Sequence, residues 1–83
     1  MDKLRVYSAK WCPDCTAAKR VLDEKNIEYE NIDIEETPES VETIIKFRGK
    51  RVLPTLVYKD RSMDGNHFSA DKFEEDLKEL LAD

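Results

Sequence analysis

Cys12-Pro13-Asp14-Cys15 places both cysteines of an 83-residue chain at the junction between a segment that reads as a strand and one that reads as a helix. Leu4-Arg5-Val6-Tyr7 alternates and is rich in strand formers, so a first strand is expected to end near Ser8. From Pro13 to about Lys25 good helix formers follow, with Cys15, Ala18 and Leu22 at helical spacing. Pro13 suits the first helical turn, where its missing N–H would have no partner. Cys12 therefore falls at the helix entrance and Cys15 one turn inward. A chain this short has room for one core and no separate binding domain, so the function has to sit on the fold itself.

Downstream, Ile27, Tyr29, Ile32 and Ile34 read as a second strand over 27–34, its alternation slipping once between Tyr29 and Ile32. Pro38 is expected to open a second helix with Val41, Ile44, Ile45 and Arg48 on one stripe and an end near Gly49. Thr55 to Lys59 reads as a third strand, Asp60-Arg61 as a turn, and Ser62-Met63-Asp64 as a short fourth strand. Ser69 is the expected N-cap of a last helix, with Phe68 and Phe73 forming a hydrophobic staple and Phe73, Leu77, Leu80 and Leu81 its buried face. A right-handed crossover makes the first two strands parallel, and a tight turn makes the last two antiparallel. The expected architecture is α/β, of order β-α-β-α-β-β-α, with a mixed four-stranded sheet flanked by three helices. A Cys-x-x-Cys at the end of strand one, opening helix one, is the arrangement of the thioredoxin fold. With no repeat, low-complexity tract or Pro/Gly/Ser-rich linker, one domain over 1–83 is the simplest description.

Composition narrows the function classes. Charged residues make up 40% of the chain and hydrophobic ones another 40%, and no apolar run approaches the roughly 20 residues of a membrane span. The net charge of −5 disfavours nucleic acid as a partner, since neutralising phosphates takes a surplus of Lys and Arg. Met1 to Val6 alternates charged with apolar residues and lacks the hydrophobic segment of a secretory signal, so a cytoplasmic location is expected. In that reducing compartment a permanent structural disulfide is disfavoured. The charge is unevenly spread. Glu28, Glu30, Asp33, Glu35, Glu36, Glu39 and Glu42 run without a basic residue between them, whereas Lys46, Arg48, Lys50 and Arg51 crowd into a short stretch. Such runs are most often solvated faces, and the basic cluster gains interest only if the fold places it beside the cysteines.

Disulfide exchange needs a thiolate, and a free cysteine near pH 7 is mostly protonated. Unpaired backbone N–H groups and the positive end of the dipole at a helix N-terminus stabilise the anion, and Lys10 adds a cation nearby. This makes Cys12 the candidate nucleophile. Cys15, one turn inward, is placed to resolve a mixed disulfide on Cys12. Asp14 contributes a negative charge that opposes the thiolate in so far as it lies near Cys12. A structural zinc site asks for about four ligands, and beyond this pair the chain offers only the distant His67, so a metal would require two chains sharing their cysteines.

Tyr7-Ser8-Ala9-Lys10-Trp11-Cys12-Pro13-Asp14-Cys15 and Val52-Leu53-Pro54-Thr55 resemble the glutaredoxin family, especially small bacterial members such as mycoredoxins and NrdH-redoxins. The resemblance covers nearly the whole chain. It implies that Pro54 is cis and faces the active site, and that the backbone of Leu53 pairs with a substrate disulfide like an added strand. It also implies that Arg51 and Lys50 lie near the site, where members of the family often hold a carboxylate of glutathione with a cation. Two positions depart from the pattern. Ala9 stands where glutathione-binding members often carry lysine, with Lys10 one position closer, and Ser69-Ala70-Asp71 keeps only the end of the usual Gly-Gly-x-Asp. Trp11 is a candidate aromatic contact for a partner protein.

The expected activity is that of a dithiol-disulfide oxidoreductase acting on a disulfide-containing protein or a low-molecular-weight mixed disulfide. Lys10, Trp11, Arg51, Leu53, Pro54 and Asp71 are the candidate substrate-binding residues. No tightly bound cofactor and no metal is expected; glutathione, another low-molecular-weight thiol or a reductase would regenerate the dithiol, and a monomer is the expected state. Open beside this are a thioredoxin-like or NrdH-like electron donor to a protein such as ribonucleotide reductase, a dimeric metal or iron-sulfur carrier, and an adaptor that keeps the fold without turnover.

Overall fold

The cysteine pair joins strand β1 (Leu4–Ser8) to helix α1 (Pro13–Glu24) in a computed structural model that describes residues 3–82. Met1, Asp2 and Asp83, the ends of the expected 1–83 domain, lie outside the described residues. Then follow β2 (Tyr29–Asp33), α2 (Ser40–Arg48), β3 (Thr55–Tyr58), β4 (Arg61–Asp64) and α3 (Ala70–Leu81), the order expected from the sequence. The sheet runs β2-β1-β3-β4, with β1 and β2 parallel and the other two pairings antiparallel.

Because helices cover both faces, β1 and β3 are buried on both sides. Leu4, Val6 and Leu56 face α1 and α3, packing with Ala18, Leu22, Phe73, Leu77 and Leu80. Tyr7 and Val57, of opposite parity, face the other way and pack with Ile44 of α2, Ile34, Val52 and both cysteines. Burying each large aliphatic side chain of these layers stabilises the fold by about 1.5–3 kcal/mol. The slip in β2 has a simple origin in this arrangement: Tyr29 packs against the first layer and Ile32 against the second.

The expected starts of β2 and α2 and the position of the hairpin turn shift. Strand β2 begins at Tyr29 because residues 25–27 are used to end α1: Asn26 takes a left-handed φ of 57°, and the Ile27 N–H reaches back to the Leu22 carbonyl at 3.0 Å. Helix α2 begins at Ser40, since residues 37–42 form tight turns in which Ser40, Val41 and Glu42 donate to carbonyls three residues earlier. Val41, Ile44 and Phe47 turn inward from α2, while Ile45 is 47% exposed. The hairpin turn is Lys59-Asp60, with Arg61 paired to Tyr58 and Lys59 at φ 58°. At α3, Ser69 has the extended backbone of an N-cap without a side-chain capping bond, and the Phe68 and Phe73 rings meet at 5.3 Å across it.

Candidate functional site

The chain leaves β1 through a turn closed by the Cys12 N–H on the Ala9 carbonyl, at 3.2 Å, so Lys10 and Trp11 project from its outer corner. Cys12 is the N-cap of α1, with extended backbone (φ −95°, ψ 107°), and Pro13 occupies the first helical turn. The Cys12 Sγ accepts the N–H of Cys15 at 3.1 Å. The two cysteines are joined by a disulfide, with Cα atoms 5.2 Å apart. Cys12 keeps 6% of its surface exposed and Cys15 none, because the helical stripe that carries Cys15, Ala18 and Leu22 faces the core.

Opposite Cys12, the Leu53–Pro54 peptide bond is cis, as the family resemblance implies. The Thr55 hydroxyl, fully buried, donates to the Val52 carbonyl at 2.7 Å and closes the turn around the proline. The Gly65 N–H donates to the Pro54 carbonyl at 2.9 Å, tying the segment after β4 to the same turn. Between the two walls lies a cleft of about 470 Å³. Trp11, Cys12, Pro13 and Asp14 line one side, Lys50 to Leu53 the other, and Asn66 one end.

The site candidates divide accordingly. Trp11, Arg51 and Leu53 line the cleft with Cys12, and Pro54 is packed beneath it next to Gly65; Trp11 is 59% exposed. Lys10 turns from the cleft, its Nζ standing 3.9 Å from Glu36 with both side chains largely in solvent. Asp71 sits exposed in the first turn of α3 and does not line the cleft, whose α3 end is occupied by Asn66 and Asp14. Of the basic cluster, Lys50 and Arg51 reach the cleft, whereas Arg48 is committed to β4, donating to Asp64 at 2.8 Å and to the Ser62 carbonyl and hydroxyl. Among the described residues, no three His, Cys, Asp or Glu side chains gather as a metal site.

Three residues beyond the expected set shape the site: Asp14 by its contacts, Gly65 by its lack of a side chain, and Thr55 by its buried hydroxyl. Asp14 accepts the backbone N–H of His67 at 3.2 Å and of Phe68 at 3.4 Å, partners more than fifty residues away. An acid in a first helical turn has an ordinary reading as a helix-dipole partner, and no local pattern links it to the loop before α3.

The sequence matches the glutaredoxin family model over residues 4–63. It is 39% identical over 62 residues to glutaredoxin 1 of Rickettsia conorii, covering 72% of this chain and 61% of that relative's length. It is 37% identical over 60 residues to the glutaredoxin-like protein NrdH of Lactococcus lactis subsp. lactis, covering 72% of this chain and 82% of the other. The crystal structure of the glutaredoxin grx-1 from Archaeoglobus fulgidus superposes with a TM-score of 0.79 at 26% identity, covering all of this chain and 89% of that one.

Proposed function

The chain belongs to the glutaredoxin family, and from that premise we propose that it is a thiol-disulfide oxidoreductase in which Cys12 attacks and Cys15 resolves. The observation that carries this reading is the bonded pair at the helix entrance, where the Cys12 sulfur already accepts the Cys15 N–H at 3.1 Å. The same N–H and the helix dipole stabilise the sulfur as a thiolate once the disulfide is reduced.

In the reduced protein the Cys12 thiolate attacks one sulfur of a substrate disulfide. A new S–S bond joins Cys12 to that sulfur, and the other sulfur leaves as a thiolate and takes up a proton. Cys15 then loses its proton to solvent and attacks the Cys12 sulfur, expelling the second substrate thiolate and forming the Cys12–Cys15 bond. The substrate gains two electrons and the protein loses two. Two equivalents of a low-molecular-weight thiol, or a dithiol reductase, restore the starting state. The backbone of Leu53, a residue that lines the cleft, supplies strand-like hydrogen bonds to the incoming chain, and Lys50 and Arg51 hold its carboxylates.

Reduction of a model disulfide by wild type and by Cys12→Ser tests this. The variant falls to the uncatalysed background, and equal rates would overturn the assignment. Cys15→Ser accumulates a mixed disulfide on Cys12, visible as an adduct by mass spectrometry.

A second reading, electron donation to a protein partner in the manner of a thioredoxin, is favoured by one feature: a largely exposed Trp11 adjoins Cys12, an aromatic anchor of the kind that dominates protein interfaces. Coupling one disulfide in turn to glutathione with its reductase, mycothiol with its reductase, and thioredoxin reductase separates the two, since only the donor that fits supports turnover.

A further inference from the structure

We infer that Asp14 is a specificity-determining residue: its carboxylate fills a pair of backbone N–H donors beside the redox cleft and so denies them to the carboxylate of an incoming thiol compound. The inference rests on the proposed disulfide exchange and concerns which disulfides that site accepts.

The donors belong to consecutive residues, His67 and Phe68, and both converge on one carboxylate, His67 on Oδ2 and Phe68 on Oδ1. Successive N–H groups converge this way when the backbone turns through a left-handed residue, which makes a concavity suited to an anion. His67 has the required φ of 56°, in a region that side-chain-bearing residues seldom visit. This concavity adjoins Asn66 at the end of the cleft, and Asp14 itself is part of the cleft wall.

Small biological thiols derived from amino acids carry carboxylates, the group two adjacent N–H donors recognise best. With Asp14 seated there, such a ligand meets a negative charge, and these two N–H donors are already taken. Its cationic anchor is the opposite wall, Lys50 and Arg51. A neutral disulfide loses nothing by the arrangement. The cleft is therefore biased against small anionic disulfides.

The test compares a neutral disulfide, bis(2-hydroxyethyl) disulfide, with a dianionic one, 3,3′-dithiodipropionate, in wild type, Asp14→Ala and Asp14→Asn. Asp14→Ala empties both donors, and the ratio of kcat/KM for the dianion to that for the neutral substrate rises about tenfold, mainly through KM, as freeing a charge-assisted contact implies. Asp14→Asn removes the same charge but leaves an amide oxygen to accept one N–H, so its ratio rises by about a third of that or less. Equal rises in the two variants would assign the effect to charge alone and overturn the proposal, as would no rise in either. Two measurements do not depend on turnover. In wild type the His67 and Phe68 amides exchange slowly with deuterium, and free-peptide exchange rates would overturn the assignment. In Asp14→Ala both amide resonances move saturably when acetate is added, whereas in wild type they stay; immobility in the variant would also overturn it. If wild type fails to reduce even the neutral disulfide while the amide behaviour is as described, the failure belongs to the exchange reaction and not to the role of Asp14.

Discussion

Gly65 lies so close to Pro54 that a methyl group on its Cα would stand 3.0 Å from the proline Cγ and 3.3 Å from the Phe73 ring, while its N–H holds the Pro54 carbonyl. One backbone position thus couples the cis-proline wall of the cleft to the helix that covers the other face of the sheet.

Gly65→Ala should strain this contact. Overpacking of this kind costs about 1–3 kcal/mol, and the reduced freedom of the unfolded chain returns about 0.4–1 kcal/mol, so a net loss of about 1 kcal/mol is expected in urea unfolding. Disulfide reduction should slow as well, because the displaced proline adjoins Val52 and Leu53, which line the cleft with Cys12. An unchanged unfolding midpoint would show that the proline ring yields freely.

Arg48→Ala should lower the urea midpoint without changing the slope. The guanidinium joins α2 to β4 through Asp64 and Ser62 in a partly solvated setting, where a charge-assisted contact is worth more than a surface ion pair and less than a buried one. A loss of about 1–2 kcal/mol is expected. Asp64 retains the Asn66 N–H, so the loop before α3 should stay in place.

Arg51→Glu should raise KM for a dianionic disulfide about fivefold at low ionic strength, with the effect shrinking as salt is added. The neutral disulfide should be reduced at nearly the wild-type rate. An equal penalty on both substrates would point to damage in the Val52–Thr55 turn and not to charge.

Tyr29 provides a pH dependence. Burial of its phenol, with the charge of Asp23 and the hydrogen bond its hydroxyl donates to that carboxylate, raises its pKa above the usual value near 10. A group whose pKa is raised by folding contributes stability that is whole below the unfolded value and is lost as pH rises through the folded one. Between α1 and β2 this contribution should therefore be intact at neutral pH and decline above about pH 10. Tyr29→Phe should remove that alkaline decline, measured as unfolding midpoints across pH 9–12.

The features legible in the sequence are those that a local pattern carries. Pro13 after Cys12 marks a helix start by chemistry alone, Phe68 and Phe73 bracket Ser69 at staple spacing, and alternation locates β1. Both cysteines, the order of elements and the proximity of Arg51 and Leu53 to the site follow from these and from the family resemblance. What escaped depends on partners distant in sequence. Nothing near Lys10 shows that Glu36 will lie beside it, and nothing near Asp14 shows that residues 67 and 68 will turn their N–H groups toward it. Ile45 follows the same logic: it shares a stripe with Ile44 on paper, but α2 meets the sheet along Val41, Ile44 and Phe47, and the remaining isoleucine is left in water.

The complete burial of Cys15 beside a Cys12 that keeps a small open surface gives the pair a direction. A reagent in solution has one terminal to address, so every electron pair entering or leaving the protein has to cross the Cys12 sulfur, and the inner thiol is wired in series behind it. Such a circuit has a single port. An oxidant that would drive a lone exposed thiol to irreversible acids meets instead a sulfur whose neighbour can close on it first.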